Sequence, residues 1–100
     1  KKLINNKIKK IKYSKNAVYH QYVILIKNRN KLIKVLKENN IQFGIHYPVS
    51  INKLNCFSKK FKNQLYPNAE QISAECLSLP IDPNLSLKDL NKICSVLNNF

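Results

Sequence analysis

The 100-residue chain has no methionine, no tryptophan and a single glycine, Gly44. One glycine excludes a Gly-rich phosphate loop, which needs several so that the backbone can close on phosphate oxygens. The three cysteines, Cys56, Cys76 and Cys94, are odd in number and contain no C-x-x-C pair, which argues against a disulfide framework and a zinc site. A reducing, cytoplasmic compartment follows from that usage. Acidic residues are scarce at five, and none are placed as a carboxylate pair for acid–base work. No nucleophile is matched to a base by a motif, and no metal-ligand cluster appears. No apolar run is long enough to span a bilayer, and none near the start reads as the core of a signal peptide. The absent Met and the start within a lysine-rich run lead us to expect a piece of a longer protein.

Positive charge is abundant, at a net +13, but arginine is not: 17 of the 18 basic residues are lysine and one is Arg29. The charge is also lopsided, with 16 basic residues in 1–62 against Glu38 alone. Sites that read phosphates or bases in bidentate fashion favour arginine, so the lysine bias argues against a nucleic-acid partner. A basic module using residues 1–15 and 53–62 on nucleic acid or an anionic surface stands as the alternative reading.

The apolar pattern predicts one mixed α/β domain, a two-layer arrangement of a short sheet covered by helices. Residues 17–27 read as a strand, and the unbroken apolar run from Tyr22 to Ile26 puts it inside the sheet. Asn28 is placed to cap a helix over 29–39, with Leu32, Ile33, Val35 and Leu36 as its apolar stripe and Asn39-Asn40 as its stop. Residues 41–47 read as a further strand, in which Gly44 marks a bulge or a close backbone approach, and Pro48 ends it. Residues 49–57 read as a loop. Pro67 opens a helix carrying Ala69, Ile72 and Cys76 on one side and Glu70 in its first turn. Residues 77–81 read as a short edge segment stopped by Pro80. Ser86 and Asp89 form a capping box for a last helix with Leu90, Ile93, Cys94 and Leu97 on one face. Residues 8–12 fit either a strand or a frayed connection, and residues 1–17 are expected to enter from an upstream part.

The sharpest local feature is Gly44-Ile45-His46-Tyr47-Pro48. A strand-end His and Tyr, held by a rigid proline, suit a cleft where the imidazole exchanges a hydrogen bond or a proton near neutral pH. A structural pair with satisfied polar tips is the plainer reading of the same residues. Arg29 opens a helix, where its charge opposes the dipole, so an anionic or carbonyl partner is expected for it. His20 shares a strand face with Tyr22 by alternation, as a hydrogen-bonded core or interface histidine.

The ordered set His20-x-Tyr22-x-Ile24, Arg29 with Leu32 and Leu36, Ile41, His46-Tyr47-Pro48, Pro67-x-Ala69-Glu70, Leu77-Ser78-Leu79-Pro80 and Leu85-Ser86 resembles the C-terminal small domain of the DegT/StrS sugar aminotransferases. The resemblance covers nearly the whole chain. The family pattern continues after the triplet as Pro-x-His, where this chain has Ser50 and Asn52, and it carries a glycine where this chain has Asn40. The resemblance implies the small domain of the aspartate-aminotransferase fold (fold type I), in a homodimeric, pyridoxal 5'-phosphate-dependent enzyme. That enzyme would move an amino group to a nucleotide-linked keto-sugar in surface-polysaccharide or amino-sugar biosynthesis. The Schiff-base lysine and the acid on the pyridine nitrogen would lie in an upstream large domain. On this analogy the fragment alone is inactive and holds no catalytic or cofactor-binding residue. His46, Tyr47 and Asn52 would then border the substrate. A cofactor-free relative that keeps the fold for assembly or regulation is the third reading.

Overall fold

Four successive apolar residues, Tyr-Val-Ile-Leu, form the middle strand of a three-stranded antiparallel sheet with strand order β1-β2-β3. The computed structural model describes residues 2–61 and 63–100, so Lys1 and Lys62, the outer ends of the two basic stretches, lie outside the described residues. In chain order the elements are β1 (Lys9–Lys10), β2 (Tyr22–Leu25), α1 (Arg29–Glu38), a single 3-10 turn (Ile51–Lys53), α2 (Pro67–Glu75), β3 (Cys76–Leu79) and α3 (Leu87–Asn98). β2 pairs with β1 through Lys9↔Leu25 and Lys10↔Ile24, and with β3 from Tyr22↔Leu79 to Leu25↔Cys76. Ile24, Leu32, Leu36 and Leu77 are fully buried and share one core with Ile8, Ile26 and Leu97. Each such side chain contributes about 1.5–3 kcal/mol through burial. None of the described helices is long and apolar enough to cross a membrane.

The predicted strand over 17–27 is real but much shorter. Val18 and Tyr19 are exposed and outside it, and so is His20. The strand starts at Tyr22, where its pairing with β3 ends opposite Leu79, the residue before Pro80, and β1 reaches only its last two residues. Beyond β1, the Tyr13 hydroxyl accepts from the Val23 N–H at 3.2 Å and donates to the Gln21 carbonyl at 3.0 Å. A side chain thus stands in for the missing ladder. The alternation argument that paired His20 with Tyr22 fails because His20 precedes the strand.

The end of α1 follows its sequence closely. Asn40 takes a left-handed conformation at φ 53. Its N–H bonds the Lys37 carbonyl at 3.0 Å, and the Ile41 N–H bonds the Leu36 carbonyl at 2.9 Å, the two bonds of a Schellman motif. Ile41 and Leu36 are both buried, which supplies the motif's apolar contact. At the other end Asn28 occupies the capping position, but its side chain makes no capping bond.

Residues 41–47 do not form the expected strand. They touch the sheet through one bridge, Gly44↔Ser78, with N–H···O distances of 3.0 and 2.8 Å. Extending that register by two residues either way sets Gln42 against Pro80 and His46 against Cys76. Pro80 has no N–H to give, and the Cys76 N–H already closes α2 on the Ile72 carbonyl. The ladder therefore stops at one rung. β3 lies at the edge of the sheet as expected, beginning at Cys76, and all four of its residues are buried.

α3 begins with the predicted capping box: Ser86 Oγ accepts from the Asp89 N–H at 3.1 Å, and Asp89 Oδ2 accepts from the Ser86 N–H at 3.2 Å. The Ser86 hydroxyl also donates to Asp89 Oδ2, and this bond first, then the one from the Ser86 N–H, holds the Asp89 carboxyl below the usual carboxylate range. Ser86→Ala is expected to cost about 1 kcal/mol, read as a fall of roughly 4–8 °C in Tm. An unchanged Tm would show that the cap is not needed. At its far end α3 meets the start of the chain. Asn98 accepts from the Ile4 N–H at 2.8 Å and donates to the Lys2 carbonyl at 2.9 Å, while Asn5 donates to the Leu97 carbonyl at 2.7 Å.

Candidate functional site

Gly44 fixes the position of the His46 ring. A Cβ built on Gly44 would lie 2.5 Å from the His46 Cε1 atom, so the imidazole occupies the space that glycine leaves open. Its φ is not positive, and the close approach alone calls for glycine. The ring is held by one bond, 3.0 Å between Nδ1 and the Ser78 Oγ on β3. Ser78 is buried and, through its backbone, also bridges Gly44. Tyr47 stands beside His46 edge-to-face, with ring centroids 5.7 Å apart and planes at 88°. Tyr47 is 74% exposed. The peptide between the two is cis.

From Tyr47 the chain runs along one wall of an open groove of ≈ 820 Å³. Pro48, Val49, Ile51 and Leu54 line that wall, and α2 forms the other through Ala69, Ile72 and Ser73. Ser50 lies beneath, 7% exposed, and its Oγ has no hydrogen-bond partner among the described residues. Glu70 joins the two walls. Its Oε2 pairs with Lys53 Nζ at 2.7 Å and its Oε1 accepts from Asn52 Nδ2 at 3.0 Å. The Lys53 ammonium, then the Asn52 amide, hold the Glu70 carboxyl below its ordinary value of 4.5. A carboxyl lowered on folding stabilises the fold above its unfolded pKa, and that contribution fades as pH falls through the folded value. The difference in urea midpoint between the wild-type chain and Glu70→Gln is therefore expected to be steady at neutral pH and to shrink below about pH 4.5. A difference that holds constant down to about pH 3 would show that the ion pair does not join the walls.

His46 and Tyr47 thus meet at one corner; Tyr47 and Asn52 line the groove while His46 lies outside its lining, and the Asn52 amide is turned to Glu70. Arg29 finds the carbonyl partner expected for it. Its Nη1 donates to the Ser73 carbonyl at 2.6 Å and the Cys76 carbonyl at 3.2 Å, at the C-terminal end of α2. Cys76 is buried at the head of β3 and not on a helix face, Cys94 is half-buried and Cys56 is exposed. Among the described residues no three His, Cys, Asp or Glu side chains gather as metal ligands. Sequence reasoning gave Ser78 and Lys53 no role in this site, naming them only in the Leu77–Pro80 run and the basic stretch 53–62. The signal for Ser78 was present: it is the one polar residue inside the apolar run Leu77-Ser78-Leu79, where a buried hydroxyl needs a partner.

Comparison with known proteins gives a consistent result. Residues 2–98 match the model described as the DegT/DnrJ/EryC1/StrS aminotransferase family. Over 86 residues the chain is 34% identical to a dTDP-3-amino-3,6-dideoxy-alpha-D-galactopyranose transaminase of Aneurinibacillus thermoaerophilus, covering 86% of this chain and 23% of that protein. It is 38% identical over 84 residues to a pleiotropic regulatory protein of Geobacillus stearothermophilus, covering 83% of this chain and 23% of the relative. In structure it is similar to S. venezuelae DesV, solved in complex with a ketimine intermediate, at a TM-score of 0.85 and 22% identity. That likeness covers 93% of this chain and 26% of DesV, and it shows the shared fold. The chain spans about a quarter of the length of the relatives it matches.

Proposed function

Because the chain belongs to the DegT/DnrJ/EryC1/StrS aminotransferase family, we propose that it is the small domain of a pyridoxal-phosphate-dependent aminotransferase acting on a nucleotide-linked keto-sugar. The observation that carries this reading is the family match over residues 2–98, which includes the His46–Tyr47 corner and both walls of the groove. The relative from Aneurinibacillus thermoaerophilus supports a nucleotide-linked sugar as the substrate class.

The cofactor would supply the electron sink for transamination. The described lining of the groove does not fit the role of holding it. Among the described residues the groove lining carries no basic side chain to meet a phosphate, and Lys53 on the rim is committed to Glu70. On this reading the cofactor and its lysine belong to an upstream large domain, which this domain covers from one side in a cytoplasmic homodimer. The chain's own contribution is to present the Tyr47 ring and the His46 imidazole at the substrate-facing rim. Asn52 acts there through the geometry of the 47–54 wall, since its amide is engaged.

The full-length protein purified with pyridoxal phosphate is expected to show the cofactor's absorbance and to transfer an amino group from glutamate to a nucleotide-linked keto-sugar. The 100-residue chain alone is expected to show neither. A full-length protein that binds no cofactor would overturn the proposal. It would favour instead a cofactor-free regulatory relative, a reading supported by the name of the Geobacillus stearothermophilus protein.

A further inference from the structure

We infer that Ser78 is a positioning residue for His46, and that it sets the neutral imidazole as the tautomer with its proton on Nε2. The consequence is chemical: His46 offers a hydrogen-bond donor outward, suited to an acceptor oxygen on a ligand, and not a free basic nitrogen. This deepens the function proposed above and rests on it for the identity of the ligand, but the tautomer stands on this chain alone.

The argument is one of hydrogen-bond accounting. Ser78 is 6% exposed, so its hydroxyl proton is shielded from solvent and needs an acceptor. Among the described residues its only side-chain partner is His46 Nδ1, at 3.0 Å. Its backbone N–H and carbonyl are both spent on Gly44. If Nδ1 carried the proton, it would donate to Oγ and leave the buried hydroxyl proton with nothing to bond. Leaving such a donor unmade costs about 1–3 kcal/mol. If Oγ donates to Nδ1, both groups are satisfied and the ring proton must sit on Nε2. His46 is exposed and its Nε2 has no protein partner among the described residues, so that donor is open to a ligand.

Two further observations make the arrangement rigid. The Gly44↔Ser78 bridge ties the strand bearing the hydroxyl to the segment bearing the ring. The ring itself occupies the space that Gly44 leaves open, which sets its distance from that backbone. An acceptor oxygen is what a sugar hydroxyl, a ketone or a phosphate would bring to this rim, and all three share the chemistry that an N–H donor recognises.

The test is long-range ¹H–¹⁵N correlation of the histidine side chains in the 100-residue chain, at a pH where the rings are neutral. The chain has only two histidines, so His20→Gln leaves His46 as the sole signal. We expect the wild-type ring to show a protonated Nε2 and a bare, hydrogen-bonded Nδ1. Ser78→Ala is expected to lower the ratio of the two tautomers by roughly three- to tenfold, the worth of one hydrogen bond, while Ser78→Thr keeps it. A proton on Nδ1 in the wild-type chain, or the same ratio in wild type and Ser78→Ala, would overturn the inference. The wild-type measurement needs no variant, so a misfolded mutant does not leave the question open. A full-length protein without cofactor would sink the proposed function and leave this result standing.

Discussion

Arg29→Ala is expected to lower the stability of the chain by about 2–3 kcal/mol, the largest loss anticipated for any residue outside the apolar core. Two effects oppose each other here. Nη1 bonds the carbonyls of Ser73 and Cys76 at 2.6 and 3.2 Å, where the last turn of α2 gives way to β3. Hydrogen bonds to a charged donor contribute about 1.5–3 kcal/mol each, and the negative end of the α2 dipole adds to them. Against this, the Arg29 Nε is buried without a partner among the described residues, which costs about 1–3 kcal/mol and is relieved on truncation. The two carbonyl bonds outweigh the one orphaned N–H, so the net sign is a loss. For a domain of this size the corresponding fall in Tm is roughly 8–20 °C. Arg29→Lys should recover part of it, since an ammonium reaches one carbonyl but cannot fork across two. Thermal and urea unfolding of the three proteins would decide the matter, and a loss under about 0.5 kcal/mol for the alanine variant would show that α2 is held by other means.

Gly44→Ala is expected to leave the fold intact while lowering kcat/KM of the full-length enzyme, on the proposed reading, by about a hundredfold. The added methyl would sit 2.5 Å from His46 Cε1. The atom it meets is the tip of a side chain, so the ring turns aside and the backbone keeps its place. The bond from Ser78 is then lost. Alanine also removes unfolded-state freedom worth about 0.4–1 kcal/mol, which offsets the lost hydrogen bond and keeps the change in stability within about 1 kcal/mol. A group at a substrate rim moved by about 1 Å is enough for a loss of that size in activity. Unfolding measurements beside steady-state kinetics separate the two effects. An alanine variant within about threefold of wild-type activity would mean that the orientation of His46 is immaterial to the reaction.

How much was legible in the sequence depended on whether the cause was local. α3 was readable because its capping box, Ser86 to Asp89, is a short-range device. α1 was readable from its stripe and from Asn40, a residue that tolerates the left-handed turn the structure shows. The extent of β2 was not, because its length matches its pairing with β3, more than 50 residues on, while β1 and the Tyr13 hydroxyl serve its other edge. Residues 41–47 have the composition of a strand and fail to become one for reasons that lie 30 or more residues away. Pro80 lacks the needed donor, and Cys76 has already given its own to α2. The site divides in the same way. The His46–Tyr47 corner announced itself as a local cluster. The groove wall on α2, the Glu70 tie and the Ser78 hydroxyl emerged only when distant segments were brought together.

The bonds from Asn98 and Asn5 carry a consequence for how this domain comes apart. They form a clasp between residues 2–5 and the last turn of α3, so the two segments are expected to open together. Breaking the contacts of residues 2–5 would also loosen the turn that seats Leu97, and amide protons of these two segments, distant in sequence, should exchange with solvent in step.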